Sequence, residues 1–464
     1  MRFLAIDIGS SFIKSALLDL DGRALRNICK RPMPAPAEPA GGICELPITP
    51  LADKVRAIIK EEAERQPIDG AVFSVQMHGM LLTQADGRRL TDYVTWQDLR
   101  ASQPMRGGES SREFVLSRVP ERLLARTGTN MSPAHSVLQL IATRDALPRA
   151  PVRLSLLGDA LIEALTGKPA PIHETNACST GLYDVYDRRW LREMAVLLDL
   201  ADVELPPVVT GPEPAGELRI SGRSIPLYTA IGDQQAAILG TMPQKGELMI
   251  NIATGSQLVY LTDKPVPGPY SVRPLFDGQV YRTVSHLPAG RALNILLDFL
   301  LDTGARLFDV RGMDPEALWE RLRRFESGLD TEPLQGQNGL EVDMSFFHEA
   351  GWGSITGIGT GNLRFDHLFA AAYRDMARRY HEAFITMCGA QPPAGIALSG
   401  GIPRKAPRLC SAIEEQFGAP CRFTPYSEDA LVGLYRLALY YSGLADGLEK
   451  TAAMLEGLRI EYAP

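Results

Sequence analysis

Cysteine is scarce here: six residues, at positions 29, 44, 178, 388, 410 and 421, and no two stand in a CxxC spacing. Neither a disulfide framework nor a cysteine zinc site is expected; reduced thiols in a cytosol are. A basic excess is missing too. The formal net charge is −7, and the pairs Arg188–Arg189 and Arg323–Arg324 read as solvated helix faces. Nucleic-acid surfaces need a positive footprint, so no nucleic-acid partner is expected. Phosphate-bearing small ligands stay open, because backbone amides and a metal ion can carry them. Long apolar runs are absent: the most apolar stretch, Ala292 to Leu301, is interrupted by Asp298 and is far shorter than the ~20 residues of a membrane span. The opening Met1-Arg-Phe-Leu-Ala-Ile-Asp7 meets charge too early for a signal peptide. No membrane partner is expected, and the cytoplasm is the expected compartment. There is no GxxxxGK[ST] loop, and Gly357-Ile-Gly-Thr-Gly361 lacks the third glycine and the helix of a dinucleotide fingerprint, so it reads as a loop.

What is present is a long, ordinary globular composition. At 464 residues, with 45% apolar and 22% charged, the chain exceeds what one core usually serves, and two domains are expected. Phe3–Ile8 and Phe12–Leu18 read as strands joined by the turn Gly9-Ser10-Ser11, with Asp21-Gly22 as the next tight turn. A proline-rich arm runs from Arg31 to Pro50, a helix over Leu51–Arg65, and a buried strand over Gly70–Ser74. Residues 112–200 read as mostly helical, with helices at Ser136–Asp145 and Leu156–Leu165, the latter closed by Gly167. Leu227–Ile231 is a strand, Gly232-Asp233 a turn and Gln234–Leu239 the start of a helix, while 264–278 and 330–340 read as loops. One internal echo sets the architecture: Ala5-Ile-Asp-Ile-Gly-Ser-Ser-Phe-Ile is repeated in kind by Ile250-Asn-Ile-Ala-Thr-Gly-Ser-Gln-Leu, about half a chain later. Two similar lobes would place both small-polar turns at one cleft. The boundary is expected near 242, giving lobes 1–242 and 243–464.

Three stretches carry candidate chemistry. In Asp7-Ile-Gly-Ser-Ser-Phe-Ile-Lys14 the turn offers amides and hydroxyls without bulky Cβ atoms, suited to a phosphate chain. Asp7 can hold Mg²⁺ beside those phosphates; an ordinary polar hairpin is the competing reading. Asp233, between a buried strand and a helix start, is placed to act as a general base, although for a lone Asp in this context a helix N-cap is the commoner role. Ser399-Gly400-Gly401 joins strand to helix, where paired glycines let a flat base and ribose approach; a tight βα connection would look the same.

Taken in order, Asp-x-Gly-Ser-Ser, Gln-Met-His-Gly, Thr-Trp-Gln-Asp, Gly-Asp-Gln-Gln, Thr-Gly-Ser and Ser-Gly-Gly resemble the FGGY family of carbohydrate kinases, from Phe3 to about Tyr441. The resemblance implies an α/β protein with the two-lobed fold of actin and hexokinase, each lobe on a ribonuclease-H-like core. It implies ATP and Mg²⁺, with Asp7 near the metal, and Gly9, Ser10, Ser11 and Lys14 as the first phosphate turn. Thr254, Gly255 and Ser256 would form the second phosphate turn, and Gly400 and Gly401 the adenosine turn. Gln76, Met77, His78, Trp96, Gln97, Asp98 and Gln234 would lie at the sugar, and Asp233 would be the catalytic base. The sequence departs from the family pattern at Gln139, where many relatives carry lysine, and in lacking a Gly-Glu-Arg-x-Pro segment. Val342-Asp-Met-Ser-Phe-Phe-His348, Gly353-Ser-Ile-Thr356 and Val94-Thr-Trp-Gln-Asp98 look more like sedoheptulokinases than xylulokinases. The expected reaction is phosphorylation of a ketose hydroxyl, with sedoheptulose as the candidate. D-xylulose, a pentitol or glycerol are the alternative substrates, and a silent sugar- or nucleotide-binding protein or an actin-like ATPase the alternative classes. A homodimer is one assembly this reading allows.

Overall fold

The structure is a computed structural model that describes residues 1–36, 42–146, 150–310, 312–328, 339–347 and 352–463. Its first strand explains its first layer. β1 (Arg2–Ile8) is apolar on both faces, as a central strand covered on both sides must be. It pairs antiparallel with β2 (Phe12–Asp19), which pairs in turn with β3 (Ala24–Pro32). After α1 (Ile48–Arg65), β4 (Gly70–Val75) returns parallel to β1. The hairpin of β5 (Pro214–Ile220) and β6 (Arg223–Tyr228) extends the sheet beyond β4, and the short β7 (Ile231–Gly232) lies beside β4 and runs into α2 (Asp233–Thr241).

A second sheet repeats the plan. β8 (Glu247–Ile252) pairs antiparallel with β9 (Ser256–Thr262), and β10 (Ser271–Pro274) with β11 (Val280–Leu287), which lies against β9. The helix α3 (Phe365–Cys388) precedes β12 (Gly395–Ser399), parallel to β8; α4 (Pro407–Phe417) precedes β13 (Cys421–Phe423), parallel to β12. After α5 (Asp429–Tyr441), the last strand, β14 (Arg459–Tyr462), crosses back to pair with β3. Among the described residues the first sheet has eight strands and the second six.

The alternation of β1 feeds two cores. Leu4, Ile6 and Ile8 pack with Leu51, Val55 and Ile59 of α1, while Phe3 and Ala5 point the other way, toward Ile238 and Leu239 of α2 and Leu431 and Tyr435 of α5. Met249 and Val259 of the second sheet join that latter core, so α2 and α5 are sandwiched between the sheets. Where they cross, a Cβ on Gly240 would collide with the Asp429 carbonyl, and one on Gly433 with the Ala236 carbonyl; glycine alone permits this backbone approach. Ile6 is fully buried, and Ile6→Ala would cost about 2–5 kcal/mol.

Between β4 and β5 the chain builds a separate layer, more mixed than an all-helical reading of 112–200 expects. Helices Ser136–Ala146 and Leu157–Thr166 are present, the second closed by Gly167 in the left-handed region, but a small sheet of 81–84, 152–155 and 203–204 lies among them. The stretch 264–278, expected as loop, contains β10. The expected loop 330–340 falls outside the described residues over 330–338, and Gly357–Gly361 is a loop stapled by Asn362, whose Nδ2 donates to the Gly357 carbonyl. No described helix is long and apolar enough to cross a membrane.

Candidate active site

The first turn is closed by Gly9 N–H donating to the Phe12 carbonyl at 3.0 Å. Register sets Asp7 opposite Lys14 on β2 and opposite Ser74 on β4. Ser74 Oγ donates to Asp7 Oδ1 at 2.6 Å, and burial holds the Asp7 carboxyl above the usual range despite that bond. Lys14 does not extend freely toward the turn: its Nζ is 2.7 Å from Glu428 Oε2, the residue before α5. Ser10 lines the cavity described below, whereas Ser11 is exposed and its carbonyl accepts from Met33 N–H.

At the corner between β7 and α2, Gly232 is the N-cap and Asp233 is the first helical residue. The N-cap expectation is thus one residue off, although Asp233 Oδ1 does accept the Gln234 N–H at 2.8 Å. The corner is held from behind by buried residues: Gly232 N–H donates to Thr175 Oγ1 (3.0 Å), and Asn176 Nδ2 to the Ala230 carbonyl (2.9 Å). Burial and then the nearby Asp7 charge push the Asp233 carboxyl up to about 7. A carboxyl poised near neutrality is what proton abstraction at physiological pH requires.

Beside Asp233 opens a cavity of about 240 Å³. It brings together Ser10, Gln76, Met77, His78, Trp96, Asp233 and Gln234, all singled out from sequence. His78 has φ +67°, a conformation uncommon for a residue with a side chain. Two bonds hold it: its N–H donates to Ser179 Oγ, and its carbonyl accepts from Tyr93 Oη at 2.7 Å. Its Nδ1 is 3.1 Å from the Ser179 carbonyl, and burial keeps the ring neutral, its pKa well below the usual histidine value. Trp96 is 37% exposed, as a face waiting for a carbon chain would be.

Other expected residues lie elsewhere. Asp98 is 1% exposed and outside the cavity lining, its oxygens taken by Arg100 and by Cys44 N–H. Gln97 is exposed and does not line the cavity. Gln139 is buried, its Nε2 donating to the Thr95 carbonyl at 2.8 Å, behind the Trp96 segment. Gln234 lines the cavity with its amide already bonded: Oε1 accepts from Arg273 (2.7 Å) and Tyr281 (2.9 Å), and Nε2 donates to Thr283. Val342 and Met344 are core residues away from the cavity, and His348 lies outside the described residues.

Three lining residues escape a sequence reading: Gln257, Arg273 and Ser285. Gln257 had a signal, since the echo sets it opposite Asn251 as Lys14 is set opposite Asp7. Arg273 and Ser285 had none.

Thr254, Gly255 and Ser256 form the second turn, between β8 and β9. Ala253 N–H bonds the Gly255 carbonyl, Arg291 N–H the Thr254 carbonyl, and Ser256 Oγ the Pro288 carbonyl. These residues, with Gly400 and Gly401, do not line the cavity. A Cβ on Gly255 or Gly401 would meet open space, whereas Gly400, at φ +85°, abuts the Ile252 backbone.

Residues 2–240 match the N-terminal domain of the FGGY family of carbohydrate kinases. Glycerol kinase of Cereibacter sphaeroides is 28% identical over 255 residues, 52% of this chain and 50% of that protein. At that level the chain spans about half the length of the curated relatives it matches. Sedoheptulokinase of Mus musculus is 22% identical over 423 residues, covering 82% of this chain and 84% of the relative. A ligand-bound xylulose kinase from Lactobacillus acidophilus superimposes with TM-score 0.81 at 17% identity, covering 98% of this chain and 92% of its own. The fold is therefore the two-lobed α/β ATPase fold of actin and hexokinase, with a ribonuclease-H-like core in each lobe.

Proposed function

The chain belongs to the FGGY family of carbohydrate kinases, and we propose that it transfers the γ-phosphoryl group of ATP to a hydroxyl of a ketose. The observation that carries this reading is Asp233: a carboxyl in the cavity wall, next to the Asp7 turn, with its pKa pushed up to about 7. Asp233 takes the hydroxyl proton as the sugar oxygen forms its bond to the γ-phosphorus, and the bond from that phosphorus to the ADP oxygen breaks. Such transfer is mostly positioning and electrostatics.

Residues 1–242 form the sugar-binding and catalytic lobe in this assignment, and 243–464 the nucleotide lobe, which lends β14 back to the first sheet. Gly9, Ser10, Ser11 and Lys14 cradle phosphate from one side, Thr254, Gly255 and Ser256 from the other, and Gly400 and Gly401 receive the adenosine. The residues present suit Mg²⁺: it keeps most of its waters and needs only one or two carboxylates besides phosphate oxygens, and Asp7 supplies one. Bound there, Mg²⁺ would neutralise phosphate charge. Six free thiols support a reducing compartment such as the cytoplasm.

A ketose fits the lining. Gln76, Asp233, Gln257, Arg273 and Ser285 are hydrogen-bonding groups that a short triol would leave unpaired, and such a site discriminates strongly against the poorer ligand. The seven-carbon sedoheptulose remains the named candidate, on the Val94–Asp98 segment alone, because the Val342–Met344 stretch is core. The test is a coupled assay for ADP release with sedoheptulose, D-xylulose, ribulose, fructose, arabinitol and glycerol, ranked by kcat/KM. A ketose should lead glycerol by at least ~10²-fold. Glycerol in first place would refute the ketose, and ATP turnover indifferent to every sugar would refute the kinase.

A further inference from the structure

Met77 and His78, the pair expected to touch the sugar, are both covered on their polar atoms by one guanidinium. Arg273 Nη1 donates to the Met77 thioether at 3.2 Å and to Gln234 Oε1 at 2.7 Å, and Nη2 stands 3.3 Å from His78 Nε2. The direction of this last bond follows from the other side of the ring. Nδ1 faces the Ser179 carbonyl and must donate to it, so the neutral ring carries its lone pair on Nε2, and Arg273 donates. These contacts use three of the five guanidinium N–H groups, and the Tyr281 hydroxyl is a further hydrogen-bond partner of the same guanidinium, which leaves at least one N–H unspent. Among the described residues none of the bonds the structure gives Arg273 is to a carboxylate. Its strand, β10, belongs to the second sheet but is fastened to the first lobe, where Val272 N–H donates to the Gly128 carbonyl at 2.8 Å and Gln235 Nε2 to the Pro274 carbonyl.

We infer that Arg273 is a specificity-determining residue of the sugar site: the second lobe supplies a cation whose unspent N–H groups bind an oxygen of the acceptor sugar, where Met77 and His78 would otherwise make the contact. This rests on the carbohydrate-kinase reading above. A delocalised, forked donor suits the carbonyl or adjacent hydroxyls of an open-chain ketose, and an acceptor lacking them leaves a half-buried cation unpaired.

The same charge acts on the base. The groups facing Asp233 are Asp7, which pushes its pKa up, and Arg273, which pulls it down; the phenols of Tyr93 and Tyr281 stay neutral, burial having raised their own pKa values. Loss of the cation therefore moves the Asp233 pKa upward from about 7.

The experiment compares wild type, Arg273→Gln and Arg273→Lys over pH, with kcat and KM for the best ketose and for ATP, and ketose binding by calorimetry. Arg273→Gln should raise the ketose KM about 10- to 100-fold, the worth of a hydrogen bond to a charged group, while the KM for ATP stays within about twofold. The acid limb of its kcat/KM profile should move to higher pH, a change that looser packing would not produce. Arg273→Lys keeps charge without the fork: the limb should stay in place with the ketose KM still raised, and this variant carries the test if the glutamine variant does not fold. A ketose KM and affinity unchanged in either folded variant overturn the inference and leave the kinase assignment standing. A wild type that neither binds nor phosphorylates any sugar overturns both.

Discussion

The two hairpins occupy the same place in their sheets and differ in charge. Asp7 faces Lys14 across its hairpin and Ser74 across its parallel neighbour; Asn251 faces Gln257 and Ser399 in the same way. On the first side Ser74 Oγ is bonded to the carboxylate, while on the second the buried Ser399 Oγ has no partner among the described residues. One backbone thus serves two tasks. On the proposed assignment a turn of small residues suffices for phosphate oxygens, but only the copy with a carboxylate could also receive a cation. The difference between the two hairpins at this position comes down to one carboxylate oxygen against one amide nitrogen.

Asp233→Asn should have the largest effect, because no carboxylate of the second lobe lines the cavity: a kcat loss of about 10²–10⁴, the usual worth of general-base assistance, with sugar affinity retained. Near-normal kcat would exclude the role. The variant should also melt higher than wild type at pH 8. Burial raises the folded pKa of Asp233 from 3.8 to about 7, so the folded state binds more protons, and its stability falls as pH rises through that window; the amide escapes this cost.

Asp7→Asn copies the second hairpin onto the first. It should lower kcat roughly 10²-fold and raise the Mg²⁺ concentration needed for half-maximal rate, as loss of a metal-facing carboxylate would. Magnesium dependence equal to wild type would contradict the assignment. The reverse change, Asn251→Asp, adds a negative charge where only phosphate is expected, and should weaken ATP about 10-fold by like-charge repulsion, with the sugar KM untouched. The smallest effects separate the glycines. Gly255→Ala and Gly401→Ala face open space and should raise the KM for ATP a few fold at unchanged melting temperature. Gly400→Ala should lower that temperature, since a side chain at positive φ costs about 1–2 kcal/mol before its collision with Ile252.

Much of this was legible in sequence, because short-range signals carried it. The turns at Gly9–Ser11 and Thr254–Ser256, the βα corners at 233 and 400, and both halves of the echo are set by a few adjacent residues. What escaped depends on distant chain. β5 and β10 are edge strands, and they and β6 have mixed exposure, so their periodicity is weak. β14 is a strand only because β3 offers it an edge. Asp98 looked like a sugar ligand by position, yet the half-buried Arg100 claims it. Arg273 stands in a stretch of prolines and glycines, and its role depends on a pairing between lobes that no local pattern encodes.

The crossing of α2 and α5 gives the molecule a fulcrum. With carbonyls seated against Gly240 and Gly433, the two helix backbones touch directly at these two points. A small rotation about this point would become a larger travel at the far ends of both helices, as in any lever. One arm begins at Asp233, the first residue of α2; the other begins at Asp429, next to Glu428, which grips Lys14 of β2. Asp233 and Lys14 are thus both tied to the starts of the two helices that meet at this crossing.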